Sequence, residues 1–138
     1  MKYYILVSLL ALFYLTAYSQ KRMFNEARFR GELEQYITRE AGLTPNEAAR
    51  FFPLFNEMLD KQRYYFDKIR SARLFKPANE IECKKAIVDN DKMDIEIKRI
   101  QQSYHVKFMK VLSPSKLFEV IKAEERFHRR AFKRMMKK

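Results

Sequence analysis

Apolar residues recur along this chain at intervals of three and four, and the repeat is interrupted by residues that stop and start helices. The first such stretch runs from about Phe24 to Glu40, with Phe29, Leu33, Tyr36 and Ile37 on one side. Gly42 follows where a left-handed helix end is wanted, because glycine has no Cβ to clash there. A second helix start lies in Leu43-Thr44-Pro45-Asn46-Glu47. Thr44 can cap, Pro45 occupies the first turn without losing a needed N–H, and Glu47 can reach back to the Thr44 amide. From there Phe51, Phe55, Met58, Tyr65, Ile69 and Ala72 fall at heptad spacing, with Gln62 filling the gap. Phe52, Leu59 and Phe66 form a second row beside them. A stripe this wide suits burial against more than one helix. Pro53 lies inside it and predicts a kink, since proline removes one backbone bond.

Lys76-Pro77 is expected to end that helix. A third is predicted from near Ala78 to Val111, carrying Cys83, Ile87, Met93, Ile97, Ile100, Tyr104, Phe108 and Val111 at threes and fours. At ~1.5 Å per residue this is a rod of about 50 Å. Two such rods joined by a short turn read as an antiparallel hairpin. Leu112-Ser113-Pro114-Ser115-Lys116 repeats the earlier start signal, with Ser113 as cap and Leu112 placed to pack on Leu117. The fourth helix runs to about Met136 through Leu117, Val120, Ile121, Phe127, Ala131, Phe132 and Met135. With two glycines in 138 residues and no alternating β-branched run, the expected class is all-α.

The N-terminus carries a different pattern. Lys2 precedes an uncharged apolar stretch, Tyr3 to Leu15, and Ala17-Tyr18-Ser19 places small residues where a signal peptidase cuts. Residues 1–19 are therefore expected to be a signal peptide and 20–138 a single α-helical domain, exported to the periplasm. An uncleaved N-terminal anchor is the alternative, although the apolar stretch is shorter than the roughly 20 residues that span a bilayer. Loss of Lys2 takes the formal charge of +12 to +11. That balance favours acidic partners, and export makes nucleic acid the unlikely one among them. From Arg126 through Arg129, Arg130, Lys133, Arg134, Lys137 and Lys138 the chain is basic with no acid. This run is either a solvated helix face or a binding surface. Cys83 stands alone, so no internal disulfide forms.

Catalytic patterns are absent. His105 and His128 have no glycine-framed nucleophile nearby, and two glycines cannot build a phosphate loop. No enzymatic activity and no cofactor are expected. His105 and Met109, four apart on one helix face, are the candidates for a soft metal, but two ligands make no site and helical methionine is usually core. The segment Asp89-Asn90-Asp91-Lys92-Met93-Asp94 lacks the central glycine and closing glutamate of a calcium loop. What remains is a mixture of rings and cations. Phe51, Phe52, Phe55, Arg63, Tyr64, Tyr65, Lys68, Phe127 and Arg130 are the candidate surface for holding partly unfolded chains. The competing reading is an amphipathic helix with a snorkelling basic face.

Leu43-Thr44 and Leu112-Ser113, each opening a helix, resemble the paired LTxxQ motifs of the Spy/CpxP family of periplasmic chaperone-like proteins. Glu47 and Lys116 stand where that family has glutamine. Phe51-Phe52-Pro53-Leu54-Phe55-Asn56-Glu57 is similar to the Phe-Trp-Pro-Leu-Tyr-Asn-Glu segment of small Bacteroidetes envelope proteins described as sensors of ECF-type sigma factors. Leu112 to Lys116, followed by Ala123-Glu124-Glu125-Arg126-Phe127, looks like their terminal segment. The resemblance implies an α-helical hairpin dimerised into a curved cradle, with ATP-independent holding of misfolded envelope proteins or sensing of envelope stress as an adaptor. A regulatory partner of a membrane sensor or anti-sigma system, or a metal-responsive periplasmic sensor, is the alternative it implies.

Overall fold

A computed structural model describes residues 25–137. They form four helices with no strand among them: α1 (residues 25–41), α2 (Pro45–Ala72), α3 (Glu80–Phe108) and α4 (Pro114–Met136). The chain is all-α, as its periodicity implies. The leader proposed for residues 1–19 lies outside the described residues, and so does Phe24. Among the described residues no helix is long and apolar enough to cross a membrane.

Local chemistry places the ends. Gly42 adopts φ 62°, and the N–H of Leu43 donates to the Thr38 carbonyl at 3.0 Å, closing α1 with a six-residue C-terminal loop. The Thr44 hydroxyl accepts from the Glu47 N–H at 3.2 Å, while the Thr44 N–H donates to the Glu47 carboxylate at 2.9 Å. That reciprocal pair satisfies two of the donors that every helix start leaves open. Ser113 caps α4 by accepting from the Lys116 N–H at 3.2 Å. α3 begins two residues later than its periodicity suggests because Asn79 supplies the cap, accepting from the Glu82 N–H at 3.0 Å.

Two further ends differ from expectation. α2 stops at Ala72, four residues before Lys76, in a turn where Leu74 N–H donates to the Ser71 carbonyl at 3.1 Å. α3 stops at Phe108, because the Val111 and Leu112 amides both turn back to the Phe108 carbonyl, at 2.9 and 2.8 Å. At 28 and 29 residues the two long helices are each about 42–44 Å. α2 continues through Pro53, which faces solvent.

The core occupies one end of the molecule. Leu33 and Ile37 of α1, Phe51, Phe55 and Met58 of α2, Tyr104 and Phe108 of α3, and Val120 and Phe127 of α4 are all buried there. Phe51 sits at its centre, its ring centroid 4.8 Å from Phe108, 5.2 Å from Phe52 and 5.4 Å from Phe55. Leu43, Leu112 and Leu117 join the same cluster, so both leucine-led helix starts are anchored by burial as well as by caps.

Beyond Gln62 on α2 and before Ile97 on α3, the hairpin leaves this base and continues as a two-helix arm. Ile69 is the single fully buried apolar residue of the arm, with Tyr65, Cys83, Ala86 and Met93 half-buried along the seam. Ile87, predicted to share the buried face of the third helix, is 63% exposed, and Ala72 is exposed as well. The spacing is helical, but among the described residues nothing packs over this face of α3 at Ile87.

Candidate functional site

The rings proposed to hold partner chains divide by location. Phe51, Phe52, Phe55 and Phe127 are buried in the base, so none of them offers a surface. The reason is that the other helices pack over α2 at this end and cover its apolar rows from Phe51 to Met58. Tyr64 is exposed, with the Lys68 ammonium 4.3 Å from its ring centroid, and Tyr65 is half-buried beside it at 5.2 Å. Arg63 pairs with Glu26 of α1, and Arg130 is exposed on α4. The structure therefore brings Arg63, Tyr64, Tyr65 and Lys68 together at the root of the arm and leaves Arg130 at the far helix.

The arm carries the apolar surface that periodicity alone assigns to the interior. Leu74 and Ile81, on either side of its tip, are 83% and 81% exposed, and Phe75, Ile87 and Ile95 are at least half exposed. On one side the arm and α1 enclose a groove of about 520 Å³ whose floor is Phe29, Leu33, Leu59, Phe66 and Ile69. Arg30, Arg63, Arg70 and Arg73 rim it. Arg30 pairs with Asp60, Arg63 with Glu26, and Arg70 with Asp67 at 3.4 Å, so most of this rim is already neutralised. The result is an apolar trough with a screened edge, suited to side chains and only weakly selective for charge.

The two helix-start motifs meet in space. Lys116 reaches from the start of α4 to the start of α2, donating to the Gly42 carbonyl at 2.8 Å and lying 3.7 Å from the Glu47 carboxylate. The Thr44 backbone N–H, with Lys116 adding to it, holds the Glu47 carboxyl below the usual carboxylate range. Thr44, Glu47, Ser113 and Lys116 thus form a polar clasp over buried Leu43 and Leu112. This clasp joins α2 to α4.

His105 and Met109 lie on α3, His105 half-buried and Met109 exposed. Burial pushes the imidazole pKa of His105 down, Glu124 opposes that, and Lys98 adds to it. Among the described residues no three of His, Cys, Asp and Glu are grouped closely enough to hold a metal ion. Cys83 is a free, half-buried thiol.

No protein-family model matches the chain, and no curated protein or solved structure matches it either.

Proposed function

We propose that this protein is an exported, chaperone-like envelope protein that binds exposed apolar segments of partner proteins without ATP, acting as a homodimer in the periplasm. The observation that carries the reading is the arm: a two-helix projection bearing Leu74, Phe75, Ile81, Ile87 and Ile95 in solvent, with a separate ring-floored groove against α1. Exposed apolar area on this scale marks an interaction surface. The buried base and the thin arm also divide the labour that a holding protein needs, since a packed core can present a surface that stays uncovered. The resemblance of the Leu43-Thr44 and Leu112-Ser113 starts to the LTxxQ motifs supports the same class.

The test is light scattering of a chemically denatured protein diluted into buffer with the mature chain at near-stoichiometric ratio and no nucleotide. Suppression of aggregation by the native chain, weakened by Ile87→Ser with Ile95→Ser, is the expected result. Absence of suppression removes the reading. Pull-down from envelope extracts separates a general holder from a regulator of a membrane sensor, because a regulator recovers one dominant partner.

A further inference from the structure

α1 and α4 enclose a second groove, of about 510 Å³, whose composition differs from that of the trough beside the arm. Its floor is two rings, Tyr36 and Phe127, with centroids 5.5 Å apart. Its walls carry four cations: Arg39 from α1, and Arg130, Lys133 and Arg134 from α4. The guanidinium carbons of Arg39 and Arg130 each lie 5.3 Å from the centre of the Tyr36 ring, so one phenol is flanked by cations from both helices.

These charges are poorly compensated. Among the described residues Arg130, Lys133 and Arg134 make no ion pair. Arg39 has its own neighbour Glu40 at 3.3 Å, and Glu32, the one carboxylate in the lining, is held by Arg28 at 3.0 Å. Like charges gathered around an apolar floor repel one another, and an incoming anion relieves that repulsion. A second observation points the same way. Tyr36 is 8% exposed, yet its hydroxyl has no hydrogen-bond partner among the described residues. Buried polar groups are almost always paired, so this hydroxyl, itself shielded from solvent, leaves an unmet bond beneath the groove floor.

We propose that the α1–α4 groove docks an acidic segment of a partner protein, one in which carboxylates flank an aromatic or large aliphatic side chain. The apolar side chain would rest on Tyr36 and Phe127, and the carboxylates would take the planar forks of Arg39, Arg130 and Arg134, which match a carboxylate in two-pronged fashion. The groove is open along its length. An acyl chain laid in it would stay wet on one side, whereas a peptide side chain enters at one point and leaves the rest of its segment in solvent. This inference rests on the reading of the chain as a binder of protein segments and gives part of its clientele a chemistry. It uses a surface distinct from the arm.

The chain contains no tryptophan, so a capped peptide Asp-Glu-Trp-Leu-Glu-Asp reports its own binding by fluorescence. The mature chain is expected to bind it, with the affinity falling about tenfold or more in the double variant R130Q/R134Q and for the Asn/Gln version of the peptide. Rising salt should weaken it further. The arm variant Ile87→Ser with Ile95→Ser should bind it unchanged, and circular dichroism checks that every variant is folded. Equal affinity for the amide peptide, or binding indifferent to R130Q/R134Q, overturns the proposal. So does displacement of the peptide by phosphatidylglycerol vesicles that bind more tightly than it does, which makes the groove a lipid site. If aggregation suppression fails while arginine-dependent peptide binding persists, the general holding function falls and this docking site stands.

Discussion

The Lys116 ammonium donates to the carbonyl of Gly42, 74 residues earlier in the chain, at 2.8 Å. The same ammonium lies 3.7 Å from the Glu47 carboxylate, which is itself engaged with the Thr44 N–H at 2.9 Å. One carboxylate therefore completes the cap of α2 and receives the cation that ties α4 to it. Coupling of this kind shows in a double-mutant cycle. Lys116→Gln is expected to lower the urea midpoint of the native chain, and to lower it less in a Glu47→Gln background. Added salt should shrink the difference, because both groups are partly solvated. Strictly additive effects would mean that Lys116 acts through Gly42 alone.

Acid should loosen the fold in two stages, with a definite sign for each. The His105 pKa is lowered by burial, so folding favours its neutral form. A group depressed in the folded state contributes stability that is complete above its unfolded pKa, near 6.5, and is lost as pH falls through the folded value. Glu47, lowered first by the Thr44 backbone N–H, behaves the same way further down, from about pH 4.3. Melting temperature measured from pH 8 to pH 3 should fall first below about pH 6.5 and again below about pH 4.5. His105→Gln should remove the first step. Glu47→Gln should reduce the second without abolishing it, since Asp89, lowered by Lys85, titrates there too.

Base and arm should respond differently to truncation. Phe51 is wholly buried among Phe52, Phe55 and Phe108, and removing its ring leaves a cavity the core cannot close. Phe51→Ala is expected to cost about 3–5 kcal/mol. Ile87→Ala and Ile95→Ala, on the exposed side of the arm, should stay within roughly 0.5 kcal/mol. Urea denaturation of the three variants checks this. A large loss at Ile87 or Ile95 would show that the arm face is covered in solution.

Helix starts were the most legible part of this sequence, because capping is chemistry between neighbours. Thr44 with Glu47, and Ser113 with Lys116, carry their partners three residues away. Periodicity likewise identified the apolar faces of all four helices. It could not say which faces would be covered, since Ile87 and Ile97 have the same spacing and opposite fates. The decision between them depends on which neighbouring helix packs over each face, which spacing within one helix does not encode. Phe51, Phe52 and Phe55 likewise carry no sign in the sequence that the other helices bury them. The Arg39–Tyr36–Arg130 cluster had no sequence signature, because two of its members meet only after α1 and α4 pack. Arg130 alone could be suspected, from the acid-free run that contains it.

Gln62 occupies an apolar slot of the α2 heptad and is the one buried polar side chain among the described residues. Its amide donates to the Ile97 carbonyl at 3.3 Å, at the level where the base gives way to the arm. That carbonyl already serves the backbone ladder of α3, so losing the amide leaves no orphaned acceptor. A net hydrogen bond of this type contributes about 0.5–1.5 kcal/mol, and leucine in the same space recovers a similar amount by burial. Gln62→Leu should therefore fall within about 1 kcal/mol of the native chain. Gln62→Glu should cost more, because at neutral pH it sets a carboxylate against a carbonyl with no donor between them. Lowering the pH should restore part of that loss, since a protonated carboxyl can donate to Ile97 as the amide does. Chemical denaturation at pH 7 and pH 5 separates these outcomes. If leucine proves as damaging as glutamate at pH 7, the bond itself, and not burial, fixes the register of the hairpin where the arm begins.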